Sequence, residues 1–413
     1  MNRKLTVTPL VLVVALALGV TAAIAGTVRG GADPGVTADS ILLGGTAPLS
    51  GPASAYSSIA RGAETYFKYV NARGGVYGRT INYKYYDDGY STPQSVQVTR
   101  QLVEQDKVFA VFNSLGTEQN LSVRDYLTEK KVPQLFVASG ATTWGRDYAR
   151  YPYTIGFQPT YEAEGWVYGR YLARTAPGAR IAVLFQNDDY GKDLLSGLRR
   201  GLQRSKVKVV AAQPYEVTAP DVQSQIAKLK TSGADTLAIF ATPKAAIQAF
   251  GSANRLNWKP KRVINNNVSS AANIMQAASE GGTNKLTENT VSIAFLKDPT
   301  DPQMQKDPAV KLYLRVMKKY APGANVDDVF YVYGMAVAWT AVDALKKAGK
   351  DLSRASLLKV LDQFNASGNP FLLPGIALKT AGKDHYPIEQ VLLQSWQKGS
   401  WKTFGGLWGY RAS

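Results

Sequence analysis

The chain has no cysteine and a single histidine, His385. Without cysteine there is no disulfide, no thiol nucleophile, no thiolate metal ligand and no anchor for an N-terminal lipid. One imidazole excludes a multi-histidine zinc site, and haem attachment through Cys-x-x-Cys-His is excluded as well. A Ser–His–Asp triad would have to run through His385, which lies in a polar stretch beside Asp384 and Tyr386. The strained Gly-x-Ser-x-Gly elbow such a serine needs is missing, and so is a phosphate-loop lysine. Paired acids occur at Asp87-Asp88 and Asp188-Asp189. Neighbouring residues at a strand end point to opposite sides, so neither pair converges on one substrate atom. Both pairs read as turn and helix-cap residues. The composition therefore argues against an enzyme, and no metal or other cofactor is expected.

Long hydrophobic runs are also scarce. The one candidate, Leu10 to Val20, follows Arg3 and Lys4 and precedes Ala23-Ile24-Ala25. That order is the mark of a cleaved export signal. The rival, a membrane anchor, needs about 20 apolar residues, and Gly19, Thr21 and the alanine-rich end argue against it. Residues 1–25 are thus expected to be a signal peptide and 26–38 a flexible leader. The mature protein is expected in the periplasm or on the extracellular side of the cytoplasmic membrane, not as a lipoprotein. Lys and Arg number 48 against 31 acids, a net charge of +17. The basic residues are scattered without long runs, so they read as a solvated surface rather than a nucleic-acid interface.

What the chain does have is alternation. With 413 residues, 45% of them hydrophobic, it is long enough for two domains. The apolar run Ile41-Leu42-Leu43 is expected to stop at Gly44-Gly45. A small-residue loop, Pro48 to Ser54, then leads to a helical face of Ile59, Ala63, Phe67 and Val70. Gly74-Gly75 closes that helix, and an extended run Ile81 to Tyr86 ends at Asp87-Asp88. Strands at 108–112, 134–137, 180–185, 207–212, 236–240 and 262–265 alternate with helices at 118–129, 162–175, 221–230 and 243–256. This pattern predicts an α/β fold of two successive halves with parallel sheets, the first crossing lying near Gly156–Thr160. Helices follow at 309–320, 326–348 and 353–364. The end, 388–409, reads as a β meander turning at Lys398-Gly399.

The strand-end loops are rich in hydroxyls, small residues and tyrosine: Ser50–Tyr56, Ser114–Thr117, Ala138–Thr142, Asp188–Gly191, Thr242-Pro243 and Asn265–Ser270. Several lead at once into helices, so free N–H groups and positive helix ends face one space. Two such halves facing each other form a cleft that grips a ligand.

In order along the chain, PLSGPASAY, NARGGVYGR, YYDDGYSTPQSV, VPQLFVASGATTW, NDDYGKD, SGAD and ATPK resemble the exported type I solute-binding proteins of the branched-chain amino-acid (Leu/Ile/Val-binding) family. KDPTDP and LPGIALKT resemble its larger branch, some of whose members take aromatic or other organic acids. The resemblance runs from about Ile41 to Trp408. It implies two Rossmann-like lobes joined by a three-crossover hinge that closes on the ligand. Lobe 1 would comprise residues 39–157 and about 295–375, and lobe 2 residues 158–294 and about 376–413. It also implies delivery of the ligand to an ABC permease by a monomer. A sensor for a membrane receptor, or an exported hydrolase using Asp188 or Asp189, are the alternatives.

Family roles carry over position by position. Tyr56 matches the cleft tyrosine, and Tyr190 the tyrosine that covers the ligand from the second lobe. Thr117 falls where a serine hydroxyl holds the ligand carboxylate. Ala138 and Gly140 fall on the main-chain donor loop, Gly140 replacing a threonine, with Ser139 or Thr142 as the second hydroxyl. Thr242 stands where another tyrosine is common, and Asn267, or with a one-residue shift of register its neighbours Asn265 and Asn266, where an acid pairs with the ligand ammonium. Asparagine cannot neutralise a buried cation. The expected ligand is therefore a carboxylate with an apolar or aromatic body, walled by Tyr56, Tyr190 and one of Trp144 or Tyr161, in preference to free leucine, isoleucine or valine.

Overall fold

The computed structural model describes Met1 and residues 33–410; the expected signal peptide and most of the leader lie outside the described residues. The first half builds a five-stranded parallel sheet from β1 (Ser40–Ala47), β2 (Thr80–Asp87), β3 (Ala110–Phe112), β4 (Gln134–Val137) and β5 (Thr154–Gly156), in the order β2-β1-β3-β4-β5. The second half supplies β6 (Arg180–Gln186), β7 (Lys208–Tyr215), β8 (Thr236–Phe240), β9 (Arg262–Asn265) and β10 (Val291–Ala294). With β11 (Gln390–Gln397) and β12 (Ser400–Gly409) they form a seven-stranded sheet, β12-β11-β10-β9-β8-β6-β7. Pairing is parallel from β7 to β10, and β11 and β12 close the edge antiparallel. Both halves share one winding, second-first-third-fourth-fifth, so each has a switch point beside its first strand where ligands bind in open α/β sheets.

Interior strands such as β8, TLAIF, are buried at every residue, as expected of parallel strands covered on both faces. β1 departs from expectation by running through Gly44-Gly45 to Ala47. The glycines are there for packing. A Cβ on Gly44 would lie 2.8 Å from the Val108 side chain, and one on Gly45 2.7 Å from the Phe112 carbonyl oxygen. The strand stops instead before Pro48, which has no N–H for the ladder. Elements not read from the sequence include the helix Thr92–Arg100, the helix Ala272–Ala278 and β10. The last two are too short to carry a periodic signal.

The chain passes between the sheets after β5, after β10 and before β11. Between the last two passages, the helix Val329–Ala348 packs on the first-sheet helix Ser57–Asn71. Glycines set this contact: a Cβ on Gly334 would meet the Ile59 carbonyl oxygen at 2.2 Å, and one on Gly62 the Tyr331 oxygen at 2.5 Å. The meander is pinned by Trp401, whose indole N–H donates to the Ser270 carbonyl at 2.6 Å and whose ring meets Trp396 edge-on.

Candidate functional site

The carboxyl ends of the parallel strands of the two sheets meet at a narrow cavity. Tyr56, Tyr90, Leu115, Gly116 and Ala138 come from the first-sheet side. Tyr161, Tyr190, Thr242, Asn267 and Val268 face them from the second. Gln158 stands at the first crossing, and Phe330 and Tyr333 enter from the returning helix. No side chain of this lining carries a formal charge. The paired acids shape the loops. Asp87 accepts the Leu49, Ser50 and Gly89 N–H groups, Asp88 accepts from Tyr90 N–H and the Ser95 hydroxyl, and Asp188 caps the helix Asp189–Gly201 through Gly191 N–H.

Five expected residues, Tyr56, Ala138, Tyr190, Thr242 and Asn267, line the cavity, while Thr117, Ser139 and Gly140 stand behind its wall. The Thr117 and Ser139 hydroxyls hydrogen-bond each other at 2.8 Å. Gly140 lies under Tyr161, so closely that a Cβ would sit 2.9 Å from the ring. The main-chain donor expected at Ala138 is used inside the sheet, where it bonds Ser114 O at 3.0 Å. Thr142 gives its N–H to Asp193 at 2.8 Å. Trp144 belongs to the core, beside Arg124, and Tyr161 is the aromatic wall. Thr242 is engaged by a tyrosine after all, since Tyr215 from β7 bonds both its hydroxyl and its N–H.

Asn267 donates its side-chain N–H to Ile293 O and its main-chain N–H to Glu164. Its amide oxygen and second amide N–H remain for a ligand, and an acid, Glu164, stands directly behind it. Glu164 was missed because it reads as a solvent-facing first-turn acid in the helix Tyr161–Thr175. Tyr90 and Gln158 sit in loops without a periodic signal, and Phe330 and Tyr333 belong to a helix that is apolar nearly all round.

Burial dominates the electrostatics. It pushes the Glu164 carboxyl up to about 7, against the opposing pull of Asn267 N–H and the Tyr168 hydroxyl. Asp188 is pushed up to about 6 by the same cause, opposed by Gly191 N–H and Gln186. The phenols of Tyr56, Tyr90 and Tyr190 are raised well above their ordinary range, by burial first and then by each other and the nearby acids. Burial also raises Tyr161, while Gly140 N–H and the Ser139 hydroxyl pull it back. The Tyr161 hydroxyl thus lies near the Gly140 N–H and the Ser139 hydroxyl, groups expected to hold a ligand carboxylate. Among the described residues, no cluster of three or more acids or imidazoles is placed to hold a metal ion.

A family model described as periplasmic binding protein matches residues 40–400. The chain belongs to the type I periplasmic binding proteins of the branched-chain amino-acid family. Leu/Ile/Val-binding protein homolog 7 of Brucella melitensis biotype 1 is 25% identical over 256 residues, 60% of this chain. The match spans 62% of that relative's own length. A branched-chain amino-acid ABC transporter structure from Thermus thermophilus with bound valine superposes with a TM-score of 0.79 at 17% identity, covering 91% of this chain and 98% of the other. A fatty acid ABC transporter substrate-binding protein from Thermomonospora curvata gives 0.76 at 22%, covering 92% and 95%. At these identities the structures speak for the fold. Among the described residues of this periplasmic binding protein, no helix is long and apolar enough to cross a membrane.

Proposed function

We propose that this periplasmic binding protein is the extracytoplasmic solute-binding component of an ABC importer, exported and not lipidated. It captures a small carboxylate-bearing organic solute between lobe 1, residues 39–157 and about 295–375, and lobe 2, residues 158–294 and about 376–413. The observation that carries this reading is the cavity at both sets of strand ends, with walls drawn from each side and no charged or nucleophilic group in its lining. Tyr56, Tyr90, Tyr190 and Phe330 hold the ligand body. Its carboxylate lies toward Gly116, the uncapped start of the helix Thr117–Glu129, with the Thr117–Ser139 pair and Gly140 behind Tyr161 as its donors. The ligands named for the relatives, from branched-chain amino acids to a fatty acid, share a carboxylate and differ in body.

A thermal-shift panel of branched-chain amino acids, their oxo-acid analogues and benzoate-type acids, followed by calorimetry, tests the reading. A true ligand at 100 times its dissociation constant adds about 2.7 kcal/mol of apparent stability, and solution scattering records compaction as the lobes close. Binding without compaction would count against hinge closure. Turnover of a bound compound would make the protein an enzyme instead.

A further inference from the structure

Beside the tyrosine-lined cavity lies a second, narrow one. The two abut at Asn267, Phe330 and Tyr333, which line both. The first has no charged side chain in its lining, whereas the second has a carboxylate, Asp298, among mostly apolar neighbours. Asp298 lines it and is only 9% exposed. Both of its hydrogen bonds, from the Thr300 N–H and hydroxyl at 2.7 Å, land on Oδ1. Oδ2 receives no hydrogen bond among the described residues. The adjacent cation, Lys297, is committed to Asp307 at 2.9 Å. Gln394 and Asn267 each give one amide N–H to the Ile293 carbonyl, at 3.0 and 2.8 Å, which leaves the oxygen and the second N–H of each amide for an occupant.

We propose that this second chamber is a subsite for a hydrogen-bond-donating end of the ligand, an ammonium above all, whose body and carboxylate occupy the tyrosine-lined cavity. A carboxylate with one oxygen free and no cation paired to it can take a charge-assisted hydrogen bond from a donor that the ligand supplies. Burial, with Asp301 and Asp327 nearby, already pushes the Asp298 carboxyl up to about 6, and an ammonium would reverse that push. An anionic end meets the Asp298 carboxylate, and a purely apolar end makes no hydrogen bond to it. The ligand is thereby expected to be elongated, with its acid at one end and its donor at the other. An α-amino acid of the leucine type, which carries both on one carbon, does not fit this description.

The proposal rests on the solute-binding reading, and two matched probe series separate the two. One is 4-methylbenzoate, 4-(hydroxymethyl)benzoate, 4-(aminomethyl)benzoate and terephthalate; the other is norleucine and lysine. Calorimetry on the full mature chain at pH 7 is expected to favour the amine over the methyl end by about tenfold or more, the size of one charge-assisted hydrogen bond. Terephthalate should trail the methyl compound. In Asp298→Asn the amine-to-methyl ratio should fall to within about threefold of unity. Ala294→Leu, which narrows the chamber from its wall, should weaken 4-(aminomethyl)benzoate relative to unsubstituted benzoate, measured alongside the series. A methyl end that binds as well as the amine, or a ratio unmoved in both variants, overturns the donor subsite and leaves solute binding standing. No binding by any member of either series overturns the carboxylate-solute reading and the subsite with it.

Discussion

Tyr161 holds its ring over Gly140 and its hydroxyl toward the donors that a ligand carboxylate would use. Tyr161→Phe keeps the ring and deletes the competitor. The variant is expected to bind carboxylate ligands up to about tenfold more tightly by calorimetry, because the ligand no longer competes with the phenol for those donors. Weaker binding would mean instead that the phenol touches the ligand. At this scale the sequence was only partly legible. Tyr56 and Tyr190 stand in motifs and reach the cavity, but nothing in the chain near Thr117 announces that its hydroxyl is spent on Ser139, 22 residues on. A hydrogen bond between two loops is a fact of packing, and a motif records only the residue types that make it possible.

Elements meet across the cleft through their ends. The Glu118 carboxylate accepts Asp189 N–H at 3.2 Å, and Asp193 accepts Thr142 N–H at 2.8 Å. Each acid thus holds an N–H at a helix start on the opposite side, the arrangement favoured by the helix dipole. A second contact between elements is steric. Gly334 lets the helix Val329–Ala348 approach Ser57–Asn71 until backbone meets backbone, and a Cβ there would lie 2.2 Å from Ile59 O and 2.6 Å from Ala63 N. Gly334→Ala is expected to cost about 1–3 kcal/mol in urea denaturation, as overpacking does. It should also weaken ligand binding, because Ile59, Phe330 and Tyr333 flank the contact and line the cavity. A variant as stable as the wild type would show that the helices can part without loss. The long amphipathic helices were legible from their apolar stripes, whereas the four-residue β10 was not. Its pairing with β9 and β11 is what makes it a strand.

Acids buried around the cavity make the whole molecule sensitive to pH. Glu164 has a folded pKa of about 7, against 4.5 as its ordinary value. Its contribution to stability is therefore complete below about 4.5 and is lost as the pH rises through about 7. Glu164→Gln keeps an acceptor for Tyr168 and Asn267 but cannot ionise. The wild type should lose, relative to this variant, on the order of 3 kcal/mol between pH 4 and pH 8 in denaturant titrations. A gap that stays constant over that range would show that the buried carboxyl does not titrate there. Asp188, pushed up to about 6, acts in the same direction.

By itself the sequence determined what is periodic or compositional. Alternating apolar runs and amphipathic stripes dictate parallel strands under helices, and the missing cysteines exclude disulfides and thiol chemistry, because neither depends on distant neighbours. The ordered motifs pointed to the family, because strand-end loops need particular small and hydroxyl residues wherever the fold recurs. Tertiary structure alone decided which of those loop residues face the ligand. It put Tyr161 over the Gly140 donor, used the Ala138 N–H inside the sheet, and set Glu164 behind Asn267. It also brought Asp298 and Gln394, 96 residues apart in number, into one chamber beside the first. Such placements follow from the packing of two sheets and the return of the chain between them, and burial then sets the charge each group can bear.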